Sequence, residues 1–217
     1  MKYHTEIVEK TKEFVKSELT SEATGHDYWH SLRVMQTALF IASSEKLKCD
    51  ILIVQLSSLL HDIEDWKFDN CRKGNIVLWL NTLNLQQSKI KQVKQIIENI
   101  SFKGIGVENK ITSNEGKIVQ DADRLDALGA IGIARAFAYG GYKNRAIYNP
   151  DEKPILHKSY QEYKSSQSCT INHFYEKLLF LKEIMNTNTG KILAEKKHKI
   201  MTKYLEDFFD EWNFKNQ

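Results

Sequence analysis

The 217-residue chain is 41% hydrophobic and 11% aromatic, enough apolar material to bury a sizeable core as one domain. Its formal net charge is only +3 with 27% charged residues, a balance that speaks against a nucleic-acid or polyanion binder. No leader-like apolar segment and no apolar run of bilayer length appears, so neither export nor a membrane span is expected; Cys49, Cys71 and Cys169, odd in number and without a CxxC, fit reduced thiols in a cytoplasm.

Both prolines, Pro150 and Pro154, fall in one stretch and leave long proline-free blocks that suit helices. Residues 2–19 predict a first helix, with Ile7, Val8, Phe14, Val15 and Leu19 at helical spacing. A second, about 28–43, aligns Leu32, Met35, Leu39 and Ala42. The third follows Asp50, a plausible N-cap, and its "ILIVQLSSLL" is apolar on more than one face, as suits the centre of a bundle. Amphipathic helices are predicted over about 73–84, 86–101 and 115–138, and longer ones over 170–186 and 190–213 close the chain. No period-2 strand pattern occurs. The expected fold class is therefore all-α, one compact helical bundle with a C-terminal helical extension. Two stretches interrupt it: "SFKGIGVENK" at 101–110 and a long loop at 139–157, with a Gly-Gly and both prolines, of a length that often carries function.

The third helix ends in "LLHDIEDW", where an uncharged run meets a knot of ionisable groups. Helical periodicity puts Leu52, Leu56, Leu59 and Ile63 on one stripe, and Val54, Ser57, Ser58, His61 and Asp65 opposite, so His61 leaves a small-residue face that another helix can approach. An isolated His-Asp pair is most often a core histidine bonded to a helix-end carboxylate. The second helix opens "GHDYWHSLRV", with His26 and His30 at i,i+4 and Arg33 three residues on. Two imidazoles so spaced can bind one metal, or one can bind while the other takes a supporting role; capping by Asp27 with surface histidines is the plain alternative. In "VQDADRLDALGAIGIARAF", Asp123, Ala127, Ala130 and Ala134 share a helical stripe, so a carboxylate projects into a tight contact and needs a cation or donors. A buried Asp123 with Arg124 in an ion pair elsewhere is its structural alternative.

The order His30, then His61–Asp62, then Asp123 resembles the H…HD…D pattern of the HD superfamily of metal-dependent phosphohydrolases. "GHDYWHSLRV", "LLHDIED", "DADRLDALGAIGIARAF" and "TINHFYEKLL" are similar to its subgroup of small bacterial HD hydrolases, a likeness spanning about 20–213. It implies a single HD-type domain over 1–217, with a core of about 20–140, the loop at 139–157 and C-terminal helices over about 158–213. It also implies one divalent ion on His30, His61, Asp62 and Asp123, a mixed N/O set suited to Mn, Fe, Co, Ni, Zn or Mg. Such an ion lowers the pKa of bound water and polarises a phosphoryl group.

Glu64 and Asp65 are the candidate catalytic acids, orienting the attacking water. In the alarmone-hydrolysing branch a Glu-Asp pair follows HD after two residues; here only Ile63 intervenes, so the roles do not transfer position by position. Candidates for gripping the substrate are His26, Arg33, Lys103, Lys143 and Arg145. No histidine lies between Asp62 and Asp123, which argues for a single ion rather than a di-iron site. His157 and His173 receive no role. The expected function is a cytoplasmic phosphohydrolase acting on a small phosphate ester, with a nucleotide foremost, no nucleic-acid or membrane partner, and no assigned oligomeric state. The alternative is a non-catalytic nucleotide- or metal-binding sensor that keeps the HD fold.

Overall fold

Among the residues described in the computed structural model, 2–19, 24–64, 74–102, 107–156 and 168–215, regular structure is helical throughout and no strand occurs. The expected all-α class is what the chain adopts. Two compact units divide it, one of residues 1–102 and 108–123, the other of 103–107 and 124–217.

In the first unit, α1 (Lys2–Glu18), α2 (Tyr28–Glu45), α3 (Ile51–Leu60), α4 (Asn75–Thr82) and α5 (Gln87–Ile100) surround the most apolar of them, α3, which packs on α1, α2 and α5. Asp50 caps α3 as the sequence predicts: its Oδ1 accepts the N–H groups of Leu52 at 3.0 Å and Ile53 at 3.4 Å. Leu52, Val54, Leu56, Leu59 and Leu60 are all buried, so α3 has no solvated face in its second half. α6 (Asn114–Asp126) is tied to both ends of this group. Glu115 accepts the Asp50 N–H at 2.8 Å, and the Gln120 amide donates to the Ile100 carbonyl at 3.1 Å while accepting from Asn109 at 2.8 Å. These bonds set the height at which Asp123 meets the bundle.

The second unit holds α7 (Gly129–Tyr142), α8 (Thr170–Glu176), a 3₁₀ helix (Leu178–Ile184) and α9 (Asn188–Trp212), with α9 packed on α7 and on the 3₁₀ helix. Phe137, Phe174 and Tyr204 meet here with ring centroids about 6 Å apart. The single helix expected over 115–138 is in fact two. Leu128 is extended and Gly129 sits at φ +73°, a left-handed conformation open to glycine, while a Cβ on Gly132 would lie 2.2 Å from the Ala127 carbonyl oxygen. The stripe of Asp123, Ala127, Ala130 and Ala134 is therefore not one continuous helical face, and Ala130 and Ala134 are exposed.

The segment expected as a helix over 170–186 also divides, at Lys177, whose φ of −143° interrupts α8 before the 3₁₀ turn. α7 runs on to Tyr142, so the irregular stretch begins later than the expected 139; residues 157–167, with His157, lie outside the described residues.

Candidate metal centre

Three helix ends bring the predicted ligands together inside the first unit. At the start of α2, Asp27 Oδ1 accepts the His30 N–H at 2.8 Å, so the cap fixes the turn that carries His30. Because α2 begins at Tyr28, His26 precedes the cap and does not share a helical face with His30 as its spacing suggested. The two rings nonetheless lie 5.7 Å apart and steeply inclined, because the loop folds His26 back over His30.

At the other side, α3 stops at Leu60 and His61 is its C-cap, where the carbonyl end of the helix favours a cation. The His61 Nδ1–H donates to the Ser58 carbonyl at 2.8 Å. A carbonyl only accepts, so Nδ1 carries the proton and the Nε2 lone pair of the neutral ring faces the cluster. Ser31, Ser57 and Ser58 are buried where α2 and α3 pack, and their small side chains permit the close approach.

His30 Nε2 and His61 Nε2 are 3.1 Å apart. Around them, Asp62 Oδ2 is 3.2 Å from His30 Nε2 and Asp62 Oδ1 is 3.5 Å from His61 Nε2, while Asp123 Oδ1 lies 3.5 Å and 3.6 Å from the same two nitrogens. Donors about 2.1 Å from one ion are about 3.0 Å from each other at right angles and about 3.4 Å at tetrahedral angles, so these separations are those of neighbouring ligands. His30, His61 and Asp123 each offer an atom within 4.8 Å of the other two. His30, His61 and Asp62 are buried, and Asp62 Oδ2 has no hydrogen bond, an orphaned acceptor that a cation would satisfy. The donor set fits a divalent ion.

Burial opposes charge on His61, Asp62 and Asp123, yet mutual attraction prevails. Burial lifts the Asp62 carboxyl, but the charges of His61, His30 and His26 hold it well below its ordinary value, and His61 and His30 do the same for Asp123. Burial lowers His61, whereas Asp62 and Asp123 carry it up to about 9. A proton and a metal ion thus compete for the same Nε2 lone pair.

Other predicted residues fall in different places. Arg33 is half-buried on α2, one turn beyond His30. Glu64 Oε1 accepts the Ile76 N–H at 2.7 Å, so this acid also holds the first turn of α4. Lys143 and Arg145 belong to the second unit, where Lys143 lies 4.7 Å from the Tyr142 ring centre and Arg145 5.8 Å from that of Tyr139. Asp65 and Lys103 lie outside the described residues. Arg124 bonds the Ile184 carbonyl, and Arg135 pairs with Asp126 at 2.9 Å. Sequence reasoning missed Thr24, whose buried hydroxyl shares a 3.1 Å hydrogen bond with His26 Nδ1; a Thr-Gly-His triplet before a helix cap was the available signal.

Residues 28–128 match the HD domain family model, a span that holds all four predicted ligands. The Bacillus subtilis protein YpgQ is 36% identical over 201 residues, covering 91% of this chain and 89% of its own. Among solved structures, a Lactobacillus plantarum protein superposes with a TM-score of 0.85 at 33% identity over 95% of this chain and 96% of its own. An HD-superfamily hydrolase from Bacillus thuringiensis gives 0.73 at 41% over 97% and 98%, and B. subtilis YpgQ in complex with ADP gives 0.74 at 33% over 94% and 97%. The chain belongs to the HD superfamily, and its fold and His/Asp cluster are those of a metal-dependent hydrolase.

Proposed function

We propose that the protein is a cytoplasmic phosphohydrolase that cleaves a small phosphate ester, foremost a nucleotide, with one divalent ion on His30, His61, Asp62 and Asp123. The observation that carries this reading is that His30 Nε2 and His61 Nε2 lie 3.1 Å apart with an oxygen of Asp62 and of Asp123 within 3.6 Å of each, while the buried Asp62 Oδ2 makes no hydrogen bond. The nucleotide preference draws support from the YpgQ crystals, which contain ADP. No helix among the described residues is long and apolar enough to cross a membrane, in keeping with a cytoplasmic setting.

When bound, the ion supplies Lewis acidity to the phosphoryl group and a nucleophile from water at neutral pH. The protein's own residues do the rest. His61 is held in one tautomer by the Ser58 carbonyl, which leaves its Nε2 lone pair for the ion. Arg33 grips a non-bridging phosphoryl oxygen, and His26, oriented by Thr24, donates a second hydrogen bond at the rim. Glu64, anchored through Oε1, orients the attacking water with its other oxygen, or Asp65 takes that part. Lys103, Lys143 and Arg145 are further candidates for the outer phosphates.

The test is a screen of metal-reconstituted protein against nucleoside mono-, di- and triphosphates, cyclic nucleotides and alarmones, with Asp123→Ala as control. Metal-dependent turnover of at least one of these, absent in the control, is expected. Tight nucleotide binding without turnover under any metal would replace the hydrolase with a sensor.

A further inference from the structure

The longest helix, α9, distributes its charges in an unusual order. Its N-terminal part carries Lys191, Lys196, Lys197, Lys199 and Lys203 against a lone Glu195, whereas its last turns carry Glu206, Asp207, Asp210 and Glu211 and no base. The backbone dipole is positive at a helix N-terminus and negative at its C-terminus, so acids early and bases late stabilise a helix. α9 has the reverse, and its side chains add to the backbone dipole instead of offsetting it.

Some of this charge is handled locally. Lys203 pairs with Asp207 at 2.7 Å one turn on, and Lys182 of the 3₁₀ helix reaches Glu195 at 3.2 Å. Lys191, Lys196 and Lys199 are exposed and form no ion pair among the described residues. At about 100° per residue, Ile192, Lys196, Lys199, Lys203, Glu206 and Asp207 fall on one strip, and all six are exposed. Ile192 is 60% exposed, and Ile200 at its margin is 48% exposed, so the basic half of the strip has an apolar component as well.

We propose that this strip is an interface with a second copy of the chain, two α9 helices lying antiparallel about a two-fold axis. A two-fold contact presents the same patch from both partners and must therefore be self-complementary. A strip basic at one end and acidic at the other meets that condition only when the copies run in opposite directions. The basic half of each helix then faces the acidic half of the other, and the two backbone dipoles cancel. Twenty-five residues give each helix a length of about 37 Å, enough for the two halves to engage without disturbing the packing of α9 on α7.

Sedimentation velocity on the full chain tests this at low and high salt. A dimer is expected in low salt, shifting toward monomer as ionic strength rises, because exposed pairs are screened. Lys196→Glu with Lys199→Glu makes both halves acidic, and Glu206→Lys with Asp207→Lys makes both basic; each double variant alone is expected to be monomeric with wild-type helical content. Mixed one to one, the two variants are expected to form a heterodimer, since every acidic half then faces a basic one. A wild type that stays monomeric at all concentrations would overturn the proposal. So would a dimer indifferent to salt and to both reversals, or a mixture that fails to pair.

Discussion

The Thr24 hydroxyl and the His26 imidazole meet beside His30, and neither residue is part of a regular element. If that bond orients His26 for the substrate, Thr24→Val removes it at nearly constant volume. The expected result is a rise in KM of about fivefold, the worth of a hydrogen bond of about 1 kcal/mol, with metal content unchanged and recovery in Thr24→Ser. An unchanged KM in the valine variant would remove His26 from substrate binding. Glu64 separates in the same way. Glu64→Gln keeps an amide oxygen for the Ile76 N–H, so its melting temperature should match wild type, while turnover drops about 100-fold or more if the carboxylate orients water. A fall in stability with full turnover would leave Glu64 as a cap alone. The His/Asp cluster was legible because the order of its residues along the chain is specific. The Thr24 contact was not, since it depends on how an irregular loop folds back, which no periodicity records.

At the scale of the element, α3 positions His61 and Asp62 through its cap. Asp50→Ala is expected to cost about 1 kcal/mol at neutral pH, read as a lower denaturation midpoint. Burial raises the Asp50 carboxyl, but the Lys89 ammonium and the Ile53 and Leu52 N–H groups outweigh it and leave the folded value below the ordinary 3.8. A depressed carboxylate stabilises the fold fully above its unfolded pKa and loses that contribution as pH falls through the folded one. The gap between wild type and Asp50→Ala should thus hold from pH 7 to about 5 and close below about 3.9, the unfolded value; a gap independent of pH in acid would contradict the charged cap. An acid just before an apolar run made this helix start readable. The break at Leu128–Gly129 stayed hidden because "LDALGAIGIARAF" keeps helical spacing on both sides and contains no proline. Only the positive φ at Gly129 and the close approach at Gly132 reveal why the chain turns there.

Over the whole molecule, the boundary between the two compact units falls inside α6, right after Asp123. No change of composition marks it, which is why the sequence reads as one HD-type domain. The predicted ligands come from α2, the end of α3 and α6, the last of these about sixty residues beyond α3, so an ion bound there would fasten the three together. Chelation should accordingly lower the melting temperature, by the equivalent of about 2.7 kcal/mol if the free ion had been at 100 times its Kd, and re-addition should restore it.

The most direct measurement is the metal content per chain of wild type, His61→Ala and Asp62→Ala after identical reconstitution and desalting, with helical content followed by circular dichroism. Wild type should retain one ion per chain, and both variants should lose it while remaining helical. Stoichiometric metal in either variant, or none in wild type, would contradict a centre built on His30, His61, Asp62 and Asp123.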